Sequence, residues 1–296
     1  MHGFIVVDKP SGMTSHDVVA RVRRILKMKK VGHTGTLDPF ATGVLPVALG
    51  EGTKAIPYLD EGVKEYRAVM KLGVATDTED LEGSVISERS LAGIDETTIR
   101  DILAGFIGTG SQIPPMFSAL KQNGVPLYKL ARKGEVVERQ PRLIMIYSLV
   151  VESIELPLVT FTVRSSRGTY VRSLARDMGE VLGCGAHLTE LRRTESGPFK
   201  LEHTRTLEQL QDEAAAGPER VGIVSLNLAL AHLPHLELTV EGERRVRNGI
   251  SPTADDLEQP LQPTAPDQKV VLLREGVIVA VAEQQDDKIM IVRGFV

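Results

Sequence analysis

The stretch Gly32–Pro46 reads GHTGTLDPFATGVLP and decides how the rest of this 296-residue sequence is interpreted. It holds one carboxylate, Asp38, in a segment with too many turn-forming residues to be a helix or a strand. Gly35 and Gly43 permit backbone conformations that other residues resist, and Pro39 disfavours the helical conformation at Asp38. The segment therefore predicts a polar loop that presents a single acid. Two interpretations are open at this point, a catalytic turn or an ordinary turn, since Asp-Pro commonly initiates turns.

Periodic segments on both sides of this loop predict a mixed α/β fold. The apolar run Phe4–Val7 indicates a short buried strand, and Thr14–Asp17 has the spacing of a capping box that starts a helix. From Tyr66 to Val74 apolar residues alternate with charged ones, which predicts a strand with Tyr66 on its buried face. Further predicted elements are a helix over Asp95–Phe106, a strand over Leu158–Arg164 and a helix over Tyr170–Leu182.

The charge of the chain is unevenly distributed. The net charge is −4, but residues 1–200 carry 26 Lys/Arg against 23 Asp/Glu (+3), while residues 201–296 carry 9 against 16 (−7). One block that follows the predicted capping box contains basic residues and no acid. Such a block is either a solvated helix face or a surface that contacts phosphates, because steering depends on local fields rather than on total charge. Its members are Arg21, Arg23, Arg24, Lys27, Lys29 and Lys30.

Several classes of protein are excluded by what the sequence lacks. The single cysteine, Cys184, cannot form an internal disulfide and fits a reducing compartment. No apolar run approaches 18 residues, and charge follows Phe4–Val7 too early for a signal peptide. His232 and His235 flank Pro234 without cysteines or acids that would complete a ligand set. We therefore expect a cytoplasmic protein without a membrane span or a metal site.

Five blocks of the sequence resemble, in order, the motifs of the TruB family of tRNA pseudouridine-55 synthases. The loop at 32–46 is similar to the family's signature, and the other four blocks precede or follow it between residues 8 and 175. This order favours the catalytic interpretation of Asp38 over the ordinary turn. The other blocks are Asp8–Ser15, Lys64–Ala68, Gln112–Lys121 and Arg167–Ala175.

The resemblance implies a domain organisation as well as a fold. The fold class is α/β (α+β), with a large mixed, mainly antiparallel sheet flanked by helices and a small β-rich C-terminal domain. We expect the catalytic domain at residues 1–232, carrying an insertion at about 111–142 that clasps the RNA. Short strands and turns after residue 236 are similar to a PUA domain, which predicts an RNA-binding module at 236–296.

The resemblance also assigns roles to individual residues. Asp38 becomes the essential carboxylate, with Arg172 as the cation that keeps it ionised and Asp77 as a hydrogen-bond partner of Arg172. Tyr66 becomes the stacking platform for the flipped uridine, and His33 fills the space that the base leaves. Whether Asp38 adds covalently or removes a proton from C2′ stays open. The remaining contacts expected are Tyr170 and Leu191 in the base pocket, Lys9 and Lys54 beside the loop or the RNA backbone, and Lys121, Lys129, Arg132 and Lys133 in the insertion.

The implied reaction is the isomerisation of uridine 55 in the T loop of tRNA. Uracil leaves C1′, rotates and rejoins through C5 without redox change, so we expect neither cofactor nor metal. The expected partner is the tRNA T stem-loop, with no guide RNA and a monomeric enzyme. Two alternatives are an RNA-folding protein, opposed by the intact Asp38, Tyr66 and Arg172, and a guide-RNA-dependent relative, opposed by the insertion at 111–142. A metal-dependent phosphoesterase is excluded because no compact ligand cluster exists.

Overall fold

The computed structural model describes residues 1–60, 62–261, 267–285 and 288–295. The chain forms both strands and helices, as the sequence periodicity predicts. The strands are β1 (Gly3–Lys9), β2 (Val31–His33), β3 (Thr42–Leu49), β4 (Val63–Leu72), β5 (Val74–Thr76), β6 (Val85–Glu88), β7 (Gly108–Gln112), β8 (Lys121–Gln122), β9 (Val125–Pro126), β10 (Arg142–Glu155), β11 (Leu158–Ser166), β12 (Ala186–Ser196), β13 (Phe199–Lys200), β14 (Thr204–Arg205), β15 (His235–Glu237), β16 (Gln268–Arg274), β17 (Val277–Gln285) and β18 (Lys288–Gly294). The α-helices are α1 (Ser15–Ile25), α2 (Gly52–Ala55), α3 (Glu96–Ala104), α4 (Leu127–Ala131), α5 (Val171–Val181), α6 (Leu207–Ala216), α7 (Leu226–Ala229) and α8 (Val240–Arg247).

A ten-stranded sheet forms the centre of the molecule. Its strand order is β14-β1-β3-β12-β4-β11-β10-β7, with β2 added to β3 and β13 added to β12. Most neighbours are antiparallel, whereas β1 with β14 and β3 with β12 are parallel. The predicted mixed, mainly antiparallel sheet flanked by helices is confirmed.

Helices α1, α3, α5 and α6 pack on one face of this sheet, because each buries apolar residues in the same core. Thr14 and Asp17 form the predicted capping box of α1, which buries Val18, Val19 and Val22 against the sheet. Strand β4 places its alternate apolar residues, Tyr66 included, in the same apolar core. Burying a side chain of this size stabilises a fold by about 1.5–3 kcal/mol, so these alternating positions fix which face of each strand points inward.

The C-terminal residues form a separate four-stranded sheet in the order β15-β16-β17-β18. Phe4 and Val6 of β1 project from the face of the central sheet opposite α1, α3, α5 and α6, and they share an apolar cluster with this smaller sheet. Within the described residues no helix is long and apolar enough to cross a membrane. The other members of the cluster that come from the smaller sheet and its end are Val271, Leu273, Ile278, Val281 and Phe295.

The central sheet divides next to the loop of residues 34–41. Strand β3 is paired with β12 only at Thr42 with Arg192 and at Gly43 with Arg193. Gly43 has φ +98°, and a Cβ there would lie 2.2 Å from the carbonyl oxygen of Arg193, so the contact requires glycine. Beyond these two pairs the loop and the first half of β12 face each other across a cleft.

Candidate active site

Hydrogen bonds with the buried side chains of Lys9 and Ser15 hold the loop that carries Asp38. The buried ammonium of Lys9 donates to the carbonyl oxygens of Pro39 and Pro10, each at 2.9 Å, and to that of Met13. The Leu37 N–H donates to the Ser15 hydroxyl oxygen at 2.9 Å. These bonds fix the loop backbone on both sides of Asp38 in the free protein.

The Lys9 side chain is buried, and burial disfavours the charged form of an ammonium. Burial lowers the pKa of Lys9 to about 8, although the negative charges of Asp38 and Glu82 act in the opposite direction. At neutral pH the side chain is therefore still an ammonium, with donors for three loop carbonyls. The structure thus places the Lys9 ammonium next to the Asp38 loop, where it bonds to the Pro39 carbonyl.

Asp38 is held at two points by Arg172, the second residue of α5. Arg172 Nε lies 2.8 Å from Asp38 Oδ2, and Nη2 donates to Oδ1 at 3.1 Å. The guanidinium side chain is only 3% exposed, whereas 31% of the Asp38 side chain is accessible. The carboxylate is therefore oriented by a fixed cation while one side stays open to a ligand.

Opposing effects act on the protonation of Asp38. Burial raises the pKa of Asp38 above its ordinary value, the Arg172 guanidinium lowers it, and the nearby Asp80 carboxylate raises it. A buried carboxylate takes up a proton unless a cation compensates for the lost water. Arg172 supplies that cation.

Arg172 also joins two further segments to the Asp38 loop. Its Nη1 donates to the Thr78 carbonyl at 2.8 Å and to Asp80 Oδ2 at 3.3 Å. Its Nη2 donates to the Phe117 carbonyl at 2.7 Å, in the segment between β7 and β10. The position of Asp38 consequently depends on three parts of the chain that are distant in sequence.

The prediction that Asp77 bonds to Arg172 is wrong, because Asp80 occupies that position. Asp77 is exposed and accepts a hydrogen bond from the Ser84 N–H at 2.8 Å. Glu79 adopts φ +64°, which reverses the chain and turns both Glu79 and Asp80 inward. Sequence reasoning named Asp77 and could not find Asp80, since a left-handed non-glycine residue has no clear sequence signal.

A second ion pair stabilises the same loop. Glu79 Oε2 accepts from the Ser173 hydroxyl at 2.6 Å, and Glu79 Oε1 pairs with Arg176. Arg176 also donates to the Ile113 carbonyl at 3.1 Å. Arg172 and Arg176 lie four residues apart on α5, and sequence reasoning missed their partners in this loop, Asp80 and Glu79.

The aromatic and apolar residues predicted to contact the base, Tyr66, Tyr170 and Leu191, are buried or partly buried. Tyr66, 8% exposed, and Leu191, 6% exposed, belong to the apolar core that lies under the cleft. Tyr170 precedes α5, and its backbone N–H and C=O both bond to the buried Gln112 side chain. Burial raises the pKa of the Tyr170 phenol, and the Asp38 charge raises it further, so the phenol is neutral.

His33 ends β2 and packs edge-on against His16, with ring centroids 5.1 Å apart. Burial lowers the pKa of His33 to about 4, and the positive charges of His16, Arg193 and Lys64 lower it further. The imidazole is therefore neutral at physiological pH. This state suits a residue that fills space better than one that transfers protons.

A cleft of about 360 Å³ lies where β3 and β12 separate. One wall comes from Phe40 and Thr42, beside the Asp38 loop, and the opposite wall comes from Leu191 and Arg192. Two arginines at the cleft are paired, Arg192 with Asp8 and Arg67 with Glu152, each at 2.7 Å. The cleft was not predicted, because it arises from a parting of two strands whose neighbours are distant in sequence. The remaining lining residues are Ser11, Val69, Leu81, Glu82, Thr189 and Glu190.

The segment between β7 and β10 forms a small hairpin, β8–β9, followed by the short helix α4. Arg139 donates to the Pro114 carbonyl at 2.9 Å, which ties the two ends of the segment together. The Arg132 guanidinium stands 5.6 Å from the centroid of the Tyr128 ring. The cations predicted for the insertion are exposed, namely Lys121, Lys129, Arg132 and Lys133.

The basic block lies on α1 and the turn that follows it. Arg21, Arg24, Lys27 and Lys29 are exposed, although Arg21 donates to the Gln211 side chain at 3.1 Å. Two other members of the block form hydrogen bonds or ion pairs with groups of the protein itself, and so does Lys54, which was predicted separately. These contacts are Arg23 to the Val31 carbonyl at 2.7 Å, Lys30 to Glu51 at 2.8 Å, and Lys54 to Glu51 and to the Gly294 carbonyl of β18.

In the part of the chain that the structure describes, no three His, Cys, Asp or Glu side chains are grouped so that they could hold a metal ion. The groups that the structure offers for chemistry are Asp38 and the Arg172 cation that fixes it, next to the cleft. A carboxylate held in this way can act as a base or as a nucleophile toward a ligand that reaches its accessible side.

Comparison with known proteins identifies the family. The model of the TruB family pseudouridylate synthase N-terminal domain matches residues 23–171, and that of the tRNA pseudouridylate synthase B C-terminal domain matches residues 172–227. The chain is 59% identical to the tRNA pseudouridine synthase B of Geobacter sulfurreducens over 96% of this chain and 93% of that protein. It is 60% identical to the protein of the same name from Geotalea uraniireducens over 87% of this chain and 83% of that protein.

Solved structures agree with these sequence matches. The whole chain superposes on 85% of a chain in a Cbf5-Nop10-Gar1 complex, with TM-score 0.78 and 30% identity. It also superposes on 85% of a chain in an H/ACA RNP bound to a substrate RNA containing 2′-deoxyuridine, with TM-score 0.77 and 28% identity. Together with the family matches over residues 23–227, these similarities show that the chain belongs to the TruB family of pseudouridylate synthases.

Proposed function

We propose that this protein isomerises uridine 55 in the T loop of tRNA to pseudouridine, with Asp38 as the essential carboxylate. The observation that carries the proposal is the two-point contact between Asp38 and the buried Arg172 beside an open cleft. The names of relatives at 59% and 60% identity, tRNA pseudouridine synthase B, support the same substrate.

In this proposal Asp38 acts at C1′ or C2′ of the target ribose while uracil is detached, turned and rejoined through C5. Arg172 holds the carboxylate in its ionised form and in one orientation, so no reorganisation is needed when the ligand arrives. Tyr66 stacks on the flipped uracil, and Tyr170 and Leu191 enclose it. The low exposure of Tyr66 and Leu191 supports a pocket from which water is excluded.

RNA binding in this proposal comes from cations outside the cleft. The exposed cations of the insertion and of the α1 block contact phosphates of the T arm, where counterion release favours binding. The C-terminal residues 236–296 act as a PUA-like RNA-binding domain beside the catalytic domain at 1–232. We place the enzyme in the cytoplasm as a monomer.

The enzyme is proposed to work without a guide RNA. The Phe117 carbonyl of the insertion bonds directly to Arg172, so an insertion that senses the T arm can influence the catalytic pair. The guide-dependent alternative draws its support from the similarity to a chain of a Cbf5-Nop10-Gar1 complex.

The test is to map pseudouridine in an unmodified tRNA transcript after incubation with the purified protein, without guide RNA or added metal. Pseudouridine at position 55, and its absence when that uridine is replaced by cytidine, is the expected result. Modification at another uridine would contradict the assigned position, and modification only after a guide RNA is added would favour the alternative.

A further inference from the structure

A cluster of cations converges on Gly35, three residues before Asp38. Arg193 of β12 is fully buried, and its Nε and Nη2 donate to the carbonyl oxygens of Val44, at 2.7 Å, and Gly35, at 3.2 Å. The third nitrogen, Nη1, has no hydrogen-bond partner in the described structure. A buried guanidinium that meets only carbonyl dipoles pays a desolvation cost that a counter-charge would offset.

Lys64 of β4 brings a second cation to the same place. A Cβ built on Gly35 would lie 2.7 Å from Lys64 Nζ and 3.8 Å from Arg193 Nη1. The absence of a side chain at Gly35 is therefore what leaves room for the ammonium. Lys64 precedes Tyr66 by two residues on the same strand, so both side chains project from one face about 6.6 Å apart.

Two more polar atoms of this loop are buried without a partner, His33 Nδ1 and Thr34 Oγ1. The positive charges of Arg193 and Lys64 also contribute to lowering the pKa of His33, which shows that their field reaches the loop. Unsatisfied buried polar atoms are uncommon in native proteins, and these two belong to the two residues directly before Gly35.

We propose that Gly35, Lys64 and Arg193 form a binding site for one phosphate of the RNA backbone, the phosphate that adjoins the flipped uridine. This inference rests on the proposed function, because the position of that uridine is set by Tyr66 and Asp38. The partly exposed Lys64 contacts the phosphate directly, and the buried Arg193 provides a fixed positive charge behind it. A phosphate contact of this kind fixes register without reading sequence.

The experiment measures binding of a T-arm stem-loop RNA at a series of salt concentrations, with Asp38→Asn in all proteins so that the RNA is not altered. Lys64→Met is compared with Lys71→Met, which makes the same change on the opposite face of β4. We expect Lys64→Met to weaken binding about tenfold and to reduce the log–log salt slope by about 0.7, and Lys71→Met to change neither. Gly35→Ala, whose Cβ displaces the ammonium, changes binding in the same direction.

The phosphate is identified with stem-loops in which single phosphates are replaced by neutral methylphosphonates. At one position next to the target uridine, the replacement weakens binding to the Lys64 protein but not to Lys64→Met, because both changes remove the same contact. Circular dichroism checks that every variant is folded.

Wild-type affinity and slope in Lys64→Met, or equal losses with every methylphosphonate RNA, would overturn the phosphate site. Tritium release from wild-type protein on the same stem-loop separates the two proposals. If the protein isomerises uridine but no single methylphosphonate has a Lys64-dependent effect on binding, the phosphate site is disproved and the proposed function stands. If one methylphosphonate has that effect but no tritium is released, the proposed function is disproved and the phosphate site stands.

Discussion

Replacing Asp80 by asparagine tests whether the contact between Asp80 and Arg172 contributes to catalysis. In the protein Asp80 Oδ1 accepts from the Thr78 hydroxyl and from the Glu82 N–H at 3.0 Å, and Oδ2 faces Arg172 Nη1 at 3.3 Å. Asparagine keeps an oxygen for the first two bonds, so the loop stays folded. Its amide NH₂ then faces the guanidinium, and a donor replaces a charged acceptor.

The expected loss follows from the contacts that remain. A hydrogen bond to a charged group is worth about 1.5–3 kcal/mol, which corresponds to a factor of about 10 to 160 in rate. Arg172 still bonds to Asp38 and to the carbonyls of Thr78 and Phe117, so the loss lies at the low end. We expect Asp80→Asn to lower kcat about 10- to 30-fold at pH 7 and to change RNA affinity by less than about threefold.

The assay is single-turnover tritium release from a stem-loop labelled at C5 of uridine, with Asp77→Asn as the matched control. Asp77 is exposed and accepts only a backbone N–H, which an asparagine oxygen also accepts, so its substitution leaves the rate within about twofold. Equal effects of the two substitutions on the rate, or an unchanged rate in Asp80→Asn, would refute the claim that the contact between Asp80 and Arg172 contributes to catalysis.

Three other substitutions test separate parts of the account. Arg172→Met removes the cation that lowers the pKa of Asp38, so protonated Asp38 persists to higher pH. We expect the acidic limb of the pH profile of kcat to move up by about 1–3 pH units. An unmoved limb would contradict the claim that Arg172 keeps Asp38 ionised. Tyr66→Leu loses base stacking worth about 1–3 kcal/mol, so we expect a higher KM. Tyr66→Phe keeps the aromatic ring, so its KM stays within a few-fold of wild type. Similar KM values for the two variants would exclude stacking. Gly43→Ala places a Cβ 2.2 Å from the Arg193 carbonyl oxygen of β12, so we expect the free energy of unfolding to fall by about 3 kcal/mol or more. The control is Gly12→Ala, because Gly12 also has a positive φ but has open space around it, and its expected loss is about 1–2 kcal/mol. Equal losses in urea denaturation would contradict the close approach of β3 and β12.

Local sequence signals predicted the elements that position the site. The capping box at Thr14–Asp17 starts α1, the alternation around Tyr66 forms β4, and the turn residues around Asp38 form the loop between β2 and β3. Each of these signals acts over a few residues, through caps, periodicity or restricted backbone angles. They could therefore be seen without knowledge of the remainder of the chain.

Contacts between distant segments could not be predicted in the same way. The choice of Asp80 over Asp77 depends on the positive φ of Glu79, and the cleft depends on where β12 leaves β3. Arg193 attracted no attention in the sequence, because nothing in its neighbours indicates that it is buried beneath the Asp38 loop. The cationic cluster at Gly35 is visible only once β4, β12 and this loop are placed together.

The most direct test of the central claim is tritium release from the C5-labelled T-arm stem-loop by wild-type protein and by Asp38→Asn, with binding of the same RNA measured in parallel. The account predicts stoichiometric release by wild type and none by Asp38→Asn, which binds the stem-loop within a few-fold of wild type. Appreciable release by Asp38→Asn would show that the carboxylate held by Arg172 is not the group on which the isomerisation depends.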